Sequence, residues 1–302
     1  DAFFETVSGF TTTGASILSD VEALPWGMLY WRSFTHWVGG MGILVFVMAI
    51  VDGSNDRSMH ILRAEMPGPV VGKLRPRAKD TASILYKIYI GMTLLETILL
   101  LAGGMPLFDS LINVFGTAGT GGFSNHSASI GYYDSEYFEA VIGVFMLLFG
   151  VNFNLYYLIV LKRLKVALRS EELHWYLGIV AFAVITIAIN ISSIYGSVHQ
   201  ALRHSFFQVA SVITTTGFAT TDFNLWPEFS KMVLFLVMVV GACAGSTGGG
   251  MKCSRILVIL RTIRREIHRI IHPRAVETIK IDGKVMEEKT IHSILTFGCC
   301  YI

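Results

Sequence analysis

Three short stretches of this chain set hydroxyls, carbonyls and glycines in a pattern that could hold a bare cation. They are Thr11-Thr12-Thr13-Gly14, Gly119-Thr120-Gly121-Gly122 and Thr214-Thr215-Thr216-Gly217. Each offers a ladder of oxygens and no cationic side chain. Rings of such oxygens replace the water around a dehydrated monovalent ion and can select it. The last glycine allows φ > 0, so a carbonyl can point where an L-residue resists.

Aligned on Gly14, Gly122 and Gly217, the three stretches agree beyond the glycine. Nine positions earlier stand Glu5, Asn113 and Gln208, all polar; six earlier stand Ser8, Gly116 and Ser211, all small; two earlier stand Thr12, Thr120 and Thr215. The glycines are 108 and 95 residues apart, which reads as an internal repeat. One such loop alone would be an ordinary re-entrant turn rich in Thr and Gly. Three at equivalent places favour an ion filter.

The elements that would position these turns follow from composition. Of 302 residues 53% are hydrophobic and 15% charged, with a mean hydropathy of +0.57. A soluble domain carries about a quarter charged residues, so the chain reads as an integral membrane protein. Its apolar stretches are continuous, which points to helices and not to a barrel of period two. Helix-length apolar segments fall at 28–51, 82–104, 137–161, 173–196, 229–260 and 288–302.

The connections between them alternate in charge. Residues 52–80, 162–172 and 252–290 carry 20 of the 24 lysines and arginines, among them Arg57, Arg63, Lys73, Arg75, Arg77 and the run Arg261 to Arg269. Residues 1–27, 105–136 and 197–228 contain only Arg203, with Asp20, Glu22, Asp109, Asp134, Glu136, Asp222 and Glu228. Positive connections stay cytoplasmic, so the acidic ones face out, where they would raise the local cation concentration. Trp26, Trp31 and Trp226 are expected at the outer interface. The basic run 261–274 could hold anionic lipid or an acidic partner, though orientation alone explains it.

The apolar runs before the Thr/Gly stretches, FFETVSGF, FDSLINVF and FFQVASVI, are about 8–10 residues long against the ~20 needed to span. They must enter, stop and turn back. Non-helical backbone at that depth is tolerated only where it is buried in protein or lines a water-filled path. The partial negative charge at the end of each half-helix points to the same place.

Segment 229–260 is interrupted by GACAGSTGGG, residues 241 to 250. Each glycine costs a helix about 1 kcal/mol relative to Ala, so no regular helix continues here. A phosphate loop fails on spacing and ending, because Gly250 is followed by Met251, Lys252 and Cys253. Close helix packing through small residues is one reading; a flexible mid-membrane loop below the filter is the favoured one. Gly241, Gly245, Gly248, Gly249 and Gly250 would absorb a hinge change, while Ser246 and Thr247 satisfy freed backbone groups. Lys252 would repel cations, anchor the loop or snorkel. Glu96 needs a partner inside its helix, and Arg32, His36, Asn152 and Asn154 read as ties between helices. Cys243, Cys253, Cys299 and Cys300 lack zinc-ligand spacing and read as small buried residues. No nucleophile–base spacing suggests an enzyme.

DAFFETVSGFTTTGAS, FGTAGTGGFSNHSASIGYY, SVITTTGFATTDFNLWP and GACAGSTGGGMK, with WRSFTHWVGGMGILV and RAEMPGP, resemble the TrkH/Ktr superfamily of potassium uptake proteins, the TrkH branch in particular. The resemblance covers nearly the whole chain. It implies an all-α integral membrane protein of repeated helix–pore helix–filter strand–helix units around a pseudo-fourfold pore, with about 2.5 to 3 of the four units present. It implies potassium as the ion, held at Thr12, Thr13, Thr120, Gly121, Thr215 and Thr216, and no organic cofactor. The glycine loop would obstruct the closed pore. A glycine-to-serine change in the filter is associated with sodium passage in relatives; the three positions here are all glycine.

The resulting division is 1–60 for the first unit, 61–81 a cytoplasmic linker, 82–171 the second unit, 172–272 the third with its outgoing helix broken at 241–250, and 273–302 a turn and the ingoing helix of a fourth. The chain starts at Asp1 and ends in an apolar run, so it reads as a segment lacking the leading helices and the fourth filter strand. The resemblance also implies a homodimer, a cytosolic nucleotide-binding regulatory subunit, and the bacterial inner (plasma) membrane crossed several times; lipid is a partner and nucleic acid is not. A secondary transporter holding an anion on half-helix N-termini would need inverted repeats, and these share one orientation by charge. A carrier coupled to sodium or protons stays open as the alternative.

Overall fold

The structure, a computed structural model, describes residues 1–42, 78–272 and 277–301. The end of the first apolar segment, most of the linker expected at 61–81, the motif RAEMPGP and the basic residues Arg57, Arg63, Lys73, Arg75 and Arg77 lie outside the described residues.

Two kinds of helix alternate. Short ones, α1 (Ala2–Phe10), α4 (Leu107–Gly119) and α9 (Val198–Ile213), each lead into a Thr/Gly stretch. At 9, 13 and 16 residues they are longer in two cases than the apolar runs suggest, yet still too short to span. Between them run α2 (Trp26–Gly40), α3 (Ala78–Ala102), α5 (Glu136–Phe149), α6 (Phe153–Val160), α7 (Leu164–Ala167), α8 (Glu171–Tyr195) and α10 (Glu228–Val240). After the glycine loop come α11 (Cys253–Ile271), a small hairpin of β1 (Lys280–Ile281) and β2 (Lys284–Val285), and α12 (Glu288–Tyr301).

Local sequence sets these boundaries. Pro25, Pro106 and Pro227 stand at the N-caps of α2, α4 and α10, where proline's fixed φ and missing N–H cost nothing. Ser135 and Ser197 accept from the amides of Phe138 and Gln200 to cap α5 and α9. Gly196, at φ +64, ends α8 directly before Ser197.

Among the described residues two helices are long and apolar enough to cross a bilayer, Ala82–Ala102 within α3 and α8, and a third span arises if α5 and α6 are taken together. In the most apolar 18-residue stretch of each of the first two, only 33% and 28% of the residues are buried. The remainder turns Leu94, Ile98, Phe182, Ile185 and Ile189 outward, a surface whose contact with water costs about 25 cal/mol per Å² and which lipid covers without that cost. Inside, Tyr89, Phe149 and Phe153 form one core, Val114, Ile142, Phe207 and Phe218 a second, and Tyr176, Ile187, Val209 and Ile213 a third. Ile279 and Ile281 of the hairpin pack on Val258, Ile291 and Ile294.

Several expectations are corrected. The segment 137–161 is not one helix: α5 and α6 meet at 92°. Asn152 starts a new helix by accepting from the Asn154 amide at 2.9 Å, and apolar periodicity is the same for a straight or a bent segment. Trp226 is buried, with its indole N–H donating to Tyr195 at 3.0 Å, so it is a core residue and not an interfacial anchor. Trp26 and Trp31 are exposed. Cys243 and Cys253 are buried, whereas Cys299 and Cys300 are exposed.

Candidate functional site

The three Thr/Gly turns are built alike. The amides of Thr13, Gly121 and Thr216 donate to the carbonyls of Ser8, Gly116 and Ser211 at 3.0, 3.0 and 2.9 Å. Those of Thr12, Thr120 and Thr215 donate to Gly9, Thr117 and Val212, each at 3.1 Å. This pair of bonds is the Schellman ending, whose left-handed position usually falls to glycine. Here it falls to Thr12, Thr120 and Thr215, at φ 53, 52 and 57. A β-branched residue in that region is an outlier, held at about 1–3 kcal/mol of strain. Two residues on, Gly14, Gly122 and Gly217 follow at φ 72, 78 and 86. Sequence reasoning placed the left-handed backbone on the glycines alone; no propensity rule points to the threonines.

Thr11, Gly119 and Thr214 do not belong to extended strand. Thr11 and Thr214 are helical C-caps and Gly119 is the last residue of α4. The Thr11 and Thr214 hydroxyls donate back to Val7 and Ala210 at 2.7 Å and pair with those of Thr13 and Thr216 at 2.8 Å. In the middle turn both partners are glycine, and α2 supplies the reason. A Cβ at Gly119 would overlap the His36 carbonyl, and one at Gly121 the His36 ring.

The aligned positions share their contacts. Ser8 and Ser211 donate to the carbonyls of Ala15 and Phe218 at 2.6 Å, and a Cβ at Gly116 would lie 2.9 Å from the Phe123 carbonyl oxygen. Closeness of helix to returning chain therefore keeps this position small. The polar position clasps the chain two residues past the glycine. Glu5 Oε1 accepts from the Ser16 hydroxyl at 2.9 Å, and Asn113 Oδ1 from Ser124 at 3.3 Å. In the third turn that place is Ala219, and among the described residues the buried Gln208 Oε1 has no hydrogen-bond partner.

The turns are neighbours in chain order. A Cβ on Gly14 would overlap the Gly121 carbonyl oxygen, and one on Gly122 that of Thr216. Beside Gly217 there is open space among the described residues.

The glycine-rich segment, residues 241–252 between α10 and α11, docks onto the turns and onto the α5–α6 bend. Thr215 Oγ1 accepts from the Gly249 amide at 2.7 Å, and Thr120 Oγ1 donates to the Thr247 carbonyl at 2.9 Å. The bend captures the other side. Cys243 N–H donates to Gly150 O at 3.0 Å, the Thr247 hydroxyl to Phe149 O at 3.2 Å, and Phe153 N–H to Gly245 O at 2.9 Å. Within the loop, Ser246 donates to the Cys243 carbonyl at 2.6 Å. Gly241 and Gly250 pack so closely that a Cβ on either would overlap the other. Lys252 is buried and its ammonium donates to the Gly248 carbonyl. That anchors the loop, and the snorkelling alternative does not hold.

Charged side chains brace the assembly. Arg32 donates to Glu5 at 2.8 Å and to Ser16 at 3.2 Å, and lies 4.0 Å over the Phe123 ring. His36 is hydrogen-bonded to Gly9 O at 2.8 Å and stacks on Phe123. First and second turns are thereby joined through α2. Arg203 of α9 makes a two-pronged contact with Glu139 of α5, both bonds 2.7 Å, and reaches Asp134 and Glu136 as well. Asp134 and Glu136 are thereby engaged with Arg203. Asp109 accepts from Asn125 at 2.9 Å and from Tyr133 at 3.0 Å. Burial, with the Asp109 carboxylate beside it, pushes the Tyr133 phenol above its ordinary value and keeps it a donor. Glu96 is fully buried beside Thr117, whose hydroxyl donates to Asn113 O, and among the described residues neither carboxyl oxygen of Glu96 meets a partner at hydrogen-bonding geometry.

Comparison with known proteins agrees with this architecture. The TrkH family profile, described as a cation transport protein, matches residues 1–195 and 173–302. The Trk system potassium uptake protein TrkH of Salmonella typhimurium is 40% identical over 305 residues, which cover 100% of this chain and 63% of that protein. TrkG of Escherichia coli K12, also named a Trk system potassium uptake protein, is 36% identical, again over 100% and 63%. The crystal structure of the potassium transporter TrkH from Vibrio parahaemolyticus superposes with a TM-score of 0.87 at 34% identity, covering 99% of this chain and 62% of that one. The chain thus spans somewhat under two thirds of the length of these relatives. With the family profile matched along its whole length, the chain belongs to the TrkH family of cation transport proteins.

Proposed function

We propose that the three Thr/Gly turns line part of a potassium path across the membrane, and that segment 241–252 lies across that path as its gate. The observation that carries this reading is the repeated seating of one turn's glycine against the next turn's carbonyl, Gly14 on Gly121 and Gly122 on Thr216. Turns packed in this way bring backbone oxygens from separate parts of the chain to one place, as replacement of an alkali ion's hydration shell requires. Thr12, Thr13, Thr120, Gly121, Thr215 and Thr216 supply those oxygens, and the ends of α1, α4 and α9 add partial negative charge. The names of the relatives support potassium as the ion. Loop 241–252 bonds directly to Thr120 and Thr215, which is where a gate next to the filter would be. By resemblance the working unit is a homodimer in a bacterial inner membrane, with a cytosolic nucleotide-binding regulator.

The test is rubidium uptake by a potassium-starved host expressing a chain of full family length that carries these residues. Gly122→Val should abolish uptake while the protein still accumulates in the membrane, because its side chain enters the space of the Thr216 carbonyl. Gly178→Ala, on α8 with nothing among the described residues within 4 Å of its added Cβ, should transport normally. Normal uptake by Gly122→Val would overturn the reading.

A further inference from the structure

We propose that Glu172 is the latch of the glycine loop, a positioning residue that sets the balance between its docked and released states. The proposal rests on the reading of 241–252 as a gate and deepens it. Glu172 lies in the first turn of α8, is buried, and points one carboxylate oxygen at both ends of the loop. Oε1 accepts from the Ala244 amide at 2.7 Å and from the Ser254 amide at 3.1 Å. The first amide belongs to the start of the glycine-rich stretch, the second to the first turn of α11. A single atom therefore staples the two ends of the loop to a third helix.

The chemistry of the staple is that of a borrowed helix cap. Helix α11 begins after Lys252, which has φ 77 and makes no side-chain cap. The first amides of a helix need acceptors, and negative charge there is favoured by the aligned peptide dipoles. Glu172 provides both from another helix. Lys252, folded onto the Gly248 carbonyl, adds a positive charge near the carboxylate. A buried carboxylate is tolerated only while such partners stay in place, so the loop cannot leave its seat without stranding Glu172 or hydrating it.

The preceding residue fixes where the latch stands. The Glu171 amide donates to Asp282 Oδ1 at 2.7 Å, and its carboxylate receives Arg261 at 2.5 Å. Arg261 also donates to the Lys280 carbonyl. The hairpin Lys280–Val285 thus holds one glutamate while the next holds the loop.

The experiment measures basal rubidium uptake in a chain of full family length carrying Glu172→Ala, Glu172→Gln, or a deletion of residues 246–250. Glu172→Ala leaves two amides unanswered only when the loop is docked, so basal uptake should rise about tenfold or more. Glu172→Gln keeps an oxygen able to accept both amides and should stay within about twofold of the parent. A merely structural role would lower uptake with Glu172→Ala and would not produce this gain. If Glu172→Ala leaves uptake unchanged or lowered while the deletion raises it, the latch is overturned and the gate stands. If the deletion leaves uptake unchanged as well, the gate reading itself falls. Should Glu172→Ala fail to accumulate, Glu172→Asp, one methylene shorter, carries the same test with the same expected direction.

Discussion

The hydroxyl of Thr215 accepts a 2.7 Å hydrogen bond from the amide of Gly249 and donates at 2.6 Å to the carbonyl of Thr214. One side chain on a strained left-handed residue therefore belongs at once to the third turn and to the glycine loop. Thr120 also meets the loop through its hydroxyl, with the opposite polarity, donating to the Thr247 carbonyl at 2.9 Å. The strain and the docking occur at the same residues, which gives these positions a use for a hydroxyl that glycine could not meet.

Thr215→Val keeps the shape and removes the hydroxyl. The Gly249 amide then loses its acceptor, and stability should fall by about 0.5–1.5 kcal/mol, the net contribution of one hydrogen bond at this half-buried place. Basal rubidium uptake should rise with it, while Thr215→Ser should behave as the parent. A valine variant with unchanged melting temperature and unchanged uptake would show that the bond couples nothing.

Ala219→Ser should stabilise the protein. Serine occupies the corresponding place in the other two turns, bonded to Glu5 and Asn113, whereas in the third turn Gln208 Oε1 has no partner among the described residues. A new hydroxyl there should contribute about 0.5–1.5 kcal/mol, read as a higher melting temperature in detergent. A lower one would mean that the pocket is closed to the added oxygen.

Arg203→Met should be among the more damaging substitutions away from the turns. Glu139 has a side chain 4% exposed and takes both prongs of the guanidinium. Removing one partner of a buried pair costs about 3–5 kcal/mol. The double variant Arg203→Met, Glu139→Gln should recover a large part of that loss, measured by thermal unfolding. No recovery would mean that packing of the arginine stem, and not its charge, is what counts.

Composition and charge were enough to read a helical membrane fold, since a 53% hydrophobic chain with 20 of its 24 basic residues in three connections has few other solutions. The register of the turns was also readable, because each aligned position touches an equivalent partner: the small residue a returning carbonyl, the polar residue in two turns a serine hydroxyl. Three features were not. The left-handed threonines contradict every local preference and are imposed by the helix ending. The α5–α6 bend depends on hydrogen bonds to a loop about ninety residues away in sequence, invisible to any window of apolar periodicity. Nothing in the sequence singles out Glu172, and only the fold reveals that the helix end it caps is that of α11.

The bend of 92° makes two separate stretches of chain interchange partners. In an unbroken helix the Phe153 amide would return to the Phe149 carbonyl; here it goes to Gly245, and the Phe149 carbonyl receives Thr247. Straightening one stretch and detaching the other are consequently a single event. The amide protons of Phe153, Cys243 and Thr247, though scattered along the chain, would exchange for deuterium in one kinetic class.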